Sequence, residues 1–106
     1  MPEEISPQEL KARLDRGDRP VLLDVRQKWE TEICALEGAV NIPIEEIEQR
    51  GVELDPDAEI VVYCHHGIRS AAVAHYLAGR GFGKLKNLTG GIAYWGATVD
   101  PTMSRY

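Results

Sequence analysis

Ile60-Val61-Val62-Tyr63-Cys64-His65-His66-Gly67-Ile68-Arg69-Ser70-Ala71-Ala72-Val73-Ala74-His75-Tyr76-Leu77-Ala78 decides how this chain folds. An apolar run, read as a strand, ends at Cys64. A short loop follows, and then a helical pattern that Gly79 and Gly81 terminate. The spacing puts a thiol on a strand-to-helix turn, close to the first backbone N–H groups of a helix. Those groups are unsatisfied within the helix and carry a partial positive charge, which favours anions. Cysteines in such places ionise more readily, with pKa values lowered to roughly 3.5–7.5. Arg69 adds a permanent cation five residues on. The loop therefore suits a reactive sulfur and an anionic substrate.

Outward from this turn the same alternation recurs. Ser6-Pro7-Gln8-Glu9 opens a helix, with Ser6 as cap, Pro7 at the first helical position and Glu9 completing a capping box. Gly17 and Pro20 end it. Val21-Leu22-Leu23-Asp24-Val25 is continuously apolar but for one acid, the pattern of a strand buried on both faces of a parallel sheet. Trp29 to Cys34 reads as a short helix, Ala39 to Ile42 as a strand stopped by Pro43, and Ile44 to Gln49 as another short helix. Leu85 to Leu88 is a last strand, Gly90-Gly91 a turn and Ile92 to Trp95 a short helix. The tail from Asp100 to Tyr106 reads as irregular. Strands alternating with helices imply crossovers and a mostly parallel sheet. Ligands of such sheets bind beyond the C-terminal strand ends, where Cys64 sits.

The bulk numbers restrict the function classes. With 106 residues, the chain is read as one domain, 1–106, around one core. A net charge of −5 argues against a general nucleic-acid surface. No apolar run approaches the roughly 20 residues of a membrane span. Met1-Pro2-Glu3-Glu4 lacks the apolar region of a signal peptide, so the reading is cytoplasmic. Two cysteines, Cys34 and Cys64, are too few for a disulfide framework. No cofactor or metal is called for: Cys64, His65, His66, His75 and Cys34 lack the paired spacing of a zinc site. Gly79-Arg80-Gly81-Phe82-Gly83-Lys84 follows a helix and precedes a strand, the reverse of a phosphate-binding loop.

Asp24-Val25-Arg26, Gly38-Ala39-Val40-Asn41-Ile42-Pro43, Val62-Tyr63-Cys64-His65-His66-Gly67-Ile68-Arg69-Ser70 and Leu88-Thr89-Gly90-Gly91-Ile92-Ala93-Tyr94-Trp95 resemble, in order, the signatures of the rhodanese superfamily. The likeness covers nearly the whole chain. The segment Ala35-Leu36-Glu37-Gly38-Ala39 departs from it by lacking a His usual there. The stretch from Val99-Asp100-Pro101 to Arg105-Tyr106 is similar to single-domain rhodaneses and to rhodanese modules joined to adenylyltransferases. The resemblance implies a three-layer α/β domain, a five-stranded sheet flanked by helices, and sulfurtransferase chemistry through a cysteine persulfide.

On that reading Cys64 is the nucleophile, and His65, His66, Gly67, Ile68, Arg69 and Ser70 bind the donor. The backbone N–H groups of residues 65 to 70 ring the sulfur. Gly67 lets the loop curl, Arg69 offers its planar fork to donor oxygens, and Ser70 caps the helix or bonds a donor oxygen. The partners are a small sulfane donor such as thiosulfate and a thiophilic acceptor such as cyanide. A carrier that hands persulfide to a protein acceptor is the second reading. A phosphatase on this fold is the third, disfavoured because that chemistry uses five residues between Cys and Arg and this loop has four. His65 and His66 either add positive charge or shape the loop. Asp24 and Arg26 are read as a structural ion pair, Cys34 as a buried inert thiol, and Ile92, Tyr94 and Trp95 as core.

Overall fold

The computed structural model describes residues 2–106. Five parallel strands form one sheet in the order β1-β5-β4-β2-β3. They are β1 (Glu3–Ile5), β2 (Val21–Asp24), β3 (Val40–Asn41), β4 (Ile60–Tyr63) and β5 (Leu85–Leu88). Four α-helices lie between them and a fifth follows β5: α1 (Pro7–Asp15), α2 (Lys28–Ile33), α3 (Ile47–Arg50), α4 (Ile68–Ala78) and α5 (Gly91–Thr98). Short 3-10 turns precede and follow α3. Among the described residues no helix is long and apolar enough to cross a membrane.

The central strand explains the three layers. All four β4 residues are buried, and side chains alternate across a strand. Ile60, Val62 and Cys64 join Leu23, Val25, Val73 and Leu77 in a cluster on the α4 side. Val61 and Tyr63 join Leu10, Leu22, Ile92 and Trp95 in a second cluster, packed with α1 and α5. Burying each large aliphatic side chain contributes about 1.5–3 kcal/mol. The same alternation sends the Cys64 side chain toward α4 rather than α5.

Local chemistry sets the ends. Ser6 caps α1 and Glu9 returns the bond to the Ser6 N–H, the expected capping box. A second box, in which Glu30 bonds the Gln27 N–H, opens α2. Three expectations change. Residues 3–5 form an edge strand beside β5, where the reading assigned no strand and noted only the acidic Glu3 and Glu4. The last helix runs eight residues, beyond Trp95. Tyr94 is 44% exposed, because its turn of α5 faces solvent while Ile92 and Trp95 face the sheet.

At the end of β2 lies a buried ion pair. Arg26 is 0% and Asp24 1% exposed. The Arg26 Nη2 and Nε donate to the Asp24 carboxylate at 2.6 and 2.9 Å, and the Arg26 N–H donates to it at 3.0 Å. The remaining guanidinium protons reach the Cys34 and Glu30 carbonyls and the Tyr106 hydroxyl. The pair thus ties β2 to α2 and to the tail, as expected of a structural pair.

Candidate active site

Cys64 follows directly on β4, and α4 begins at Ile68. Between them Gly67 adopts φ +100°, a left-handed conformation that side chains rarely take. The turn folds the chain back over the sulfur. Gly67 N–H donates to Cys64 Sγ at 3.1 Å and Ser70 N–H at 3.4 Å. A second close approach supports the loop from below. The Ile92 N–H donates to the Cys64 carbonyl and the Ala93 N–H to the His65 carbonyl. Gly91, at φ +63°, makes this possible: a Cβ there would lie 2.6 Å from the Cys64 carbonyl oxygen. The first turn of α5 is thereby locked onto the loop.

Cys64 is 1% exposed. Burial works against ionisation most strongly. The bonds from the Ser70 hydroxyl and the N–H groups of Ser70, Gly67 and His66 together outweigh it, holding the thiol below its ordinary value of 9.0. Alkylation of Cys64 by iodoacetamide, followed by peptide mass, should therefore rise with pH through a midpoint below 9.0, since the protonated thiol is inert below that midpoint. A midpoint at or above 9.0 contradicts the amide stabilisation.

Ser70 does not cap the helix, the first of the two roles expected of it. Gly67 occupies the cap position of α4, and Ser70 lies inside the helix, fully buried. Its hydroxyl lies 3.4 Å from Cys64 Sγ and donates to Asn87 Oδ1 at 2.5 Å. Asn87 in turn donates to Glu4 and to the Gly67 carbonyl. A hydroxyl has one proton, so Asn87 competes with the sulfur for it. The backbone donors are the permanent ones.

The Arg69 side chain is paired with a carboxylate of α2. Its Nη1 and Nη2 donate end-on to Glu30 Oε1 and Oε2 at 2.7 and 2.9 Å. Glu30, 4% exposed, also accepts from the Tyr106 hydroxyl at 2.7 Å. The Arg69 fork, opposed by burial and helped by Tyr106 and the Gln27 N–H, draws the Glu30 carboxyl down to about 2. His66 and Ile68 are exposed at the rim, Ile68 by 80%. His65 is half-buried and stacks on Tyr106, ring centroids 3.9 Å apart and planes 7° apart. Burial, then the neighbouring His66, hold His65 below 6.5, so the ring is neutral at neutral pH.

Glu30 and Tyr106 contact the loop side chains Arg69 and His65, which the sequence reading missed. The capping-box spacing of Gln27 and Glu30 was a usable signal for α2, though not for the Arg69 contact. Cys34 lies just past α2 in extended backbone, half-buried, with its Sγ 3.9 Å from Arg26 Nη1. It lines a hollow of about 120 Å³ with His65, His66, Met103, Arg105 and Tyr106.

The chain matches the family model described as Rhodanese-like domain over residues 6–98. It is 37% identical over 92 residues to the putative sulfur carrier protein YrkF of Bacillus subtilis, covering 87% of this chain and 50% of that one. It is 34% identical over 95 residues to a sulfurtransferase of Allochromatium vinosum, covering 90% of this chain and 89% of that one. A crystal structure of a rhodanese-like domain protein from Staphylococcus aureus superposes with a TM-score of 0.85 at 28% identity, covering 98% of each chain. The chain spans half or less of the length of several curated relatives it matches.

Proposed function

Because this chain belongs to the rhodanese-like domain family, we propose that it transfers sulfane sulfur through a persulfide on Cys64, from thiosulfate or a similar donor to a thiophilic acceptor. One observation carries the reading: the sole sulfur at the C-terminal end of the central strand receives N–H bonds from Gly67 and Ser70. In the first half-reaction the Cys64 thiolate attacks the outer sulfur of the donor. The Cys64–S bond forms, the donor's S–S bond breaks, and the electron pair leaves with sulfite. In the second half-reaction cyanide takes the outer sulfur and the thiolate returns. Negative charge stays at one place throughout, and fixed amide dipoles stabilise it without reorganising.

Neither half-reaction calls for a cofactor, and sulfite leaves as a stable anion, so neither histidine needs to act as an acid. The four-residue spacing between Cys64 and Arg69 makes a cradle tighter than the phosphatase loop. A second reading has one specific observation in its favour, the similarity to a relative named as a sulfur carrier. On it the persulfide is delivered to a protein acceptor. Mass spectrometry after thiosulfate treatment tests the common step: one sulfur atom is added, on Cys64. Sulfur uptake mapped elsewhere, or none, refutes it. Delivery to a protein acceptor faster than to cyanide favours the carrier.

A further inference from the structure

Arg69 is the cation nearest in sequence to the nucleophile, and its charge is already matched. Glu30 accepts at four points: from Arg69 Nη1 at 2.7 Å, Arg69 Nη2 at 2.9 Å, the Gln27 N–H at 2.9 Å and the Tyr106 hydroxyl at 2.7 Å. That fills both carboxylate oxygens. End-on, bidentate pairing is the geometry in which Arg would otherwise clamp two oxygens of a sulfonate. A second guanidinium, that of Arg26, has its own carboxylate in Asp24. Tyr106 joins the two pairs: its hydroxyl donates to Glu30 and accepts from Arg26 Nη1 at 2.9 Å. Its ring is held by the His65 stack and by an edge-on contact with Trp29.

We propose that Glu30 is a specificity-determining residue which, by occupying the end-on fork of Arg69, makes the loop select sulfane donors carrying at most one negative charge, such as thiosulfonates and hydropersulfides, over dianionic thiosulfate. The inference rests on the persulfide reading of Cys64. With thiosulfate, Cys64–S⁻ and S–SO₃²⁻ give Cys64–S–S⁻ and SO₃²⁻, so three negative charges meet in one cradle. With methanethiosulfonate, Cys64–S⁻ and CH₃SO₂–S⁻ give Cys64–S–S⁻ and CH₃SO₂⁻, so two meet. Both reactions break the bond between the outer sulfur and the oxidised one, and the electron pair leaves with the sulfite or sulfinate. They differ in one charge, placed beside an Arg69 that Glu30 has neutralised. Charge interactions at such partly desolvated distances are several times stronger than in water. Tyr106 is a positioning residue acting through Glu30.

The experiment compares kcat/KM for thiosulfate and for methanethiosulfonate in the full chain with cyanide as acceptor, normalised to the same pair's reactions with free glutathione. The wild-type protein is expected to favour methanethiosulfonate by about tenfold or more. Glu30→Gln removes the charge at nearly constant shape, and should shift the ratio toward thiosulfate by roughly tenfold, chiefly through KM. Glu30→Asp keeps the charge and should keep the wild-type ratio. A wild-type protein that uses thiosulfate as well as methanethiosulfonate overturns the proposal, even where Glu30→Gln does not fold. Equal shifts in Glu30→Gln and Glu30→Asp, or no shift in Glu30→Gln, overturn it too while leaving the persulfide reading intact. If neither donor loads sulfur onto Cys64, that earlier reading has failed and takes the inference with it.

Discussion

Cys64→Ser is expected to lose thiocyanate formation from thiosulfate and cyanide by a factor on the order of 10⁴ or more. Serine fits the cavity, and its oxygen can accept the same N–H bonds from Gly67 and Ser70. It fails for two chemical reasons. A hydroxyl is far harder to ionise than a thiol, and the side chain bonded to the sulfur, Ser70, is itself a hydroxyl and no base. An oxygen in place of Sγ also makes no persulfide. The melting temperature should stay close to that of the wild-type protein, separating lost chemistry from lost fold. Undiminished turnover in this variant would refute the mechanism.

Asp24→Asn should produce the largest loss of stability. Asp24 balances a guanidinium that is wholly enclosed, and Asn keeps the shape while removing the charge. Carbonyls and the Tyr106 hydroxyl still accept from Arg26, yet they do not neutralise it. Breaking a buried pair by removing one partner costs about 3–5 kcal/mol. At about 4–8 °C per kcal/mol for a domain of this size, the melting temperature should fall by roughly 15–30 °C. The pair need not be a net gain over an apolar replacement of both partners; the forecast concerns a charge left alone. A fall under about 5 °C in thermal unfolding followed by circular dichroism would show that Arg26 finds water or another anion.

The elements that read correctly are those whose information is local. The Ser6 and Glu9 box, the apolar runs of β2 and β4 and the glycine-rich turns each specify their own conformation within a few residues. Cys64 was legible because strand, loop and helix are contiguous around it. What was hidden depends on distant partners. Glu3-Glu4-Ile5 shows no strand alternation because β1 is an edge strand with only Ile5 buried, and edges tolerate charge. Glu30 looks like a solvated acid until Arg69 is brought to it across 39 residues. Ser70 had the right residue type for a helix cap, but Gly67 starts the helix three residues earlier. Tyr106 lies in a tail without periodicity, and only the folded loop supplies the His65 ring on which it stacks.

The Tyr106 hydroxyl bonds a residue 80 positions earlier, and this separation governs the order of events during synthesis. A ribosome releases chain at about 5–20 residues per second, so early segments emerge and collapse first. The sheet is finished only when Leu88 can pair with Ile5. The stack of Tyr106 on His65 forms later still. A nascent chain would thus hold a nearly native scaffold before Tyr106 bridged Arg26 and Glu30.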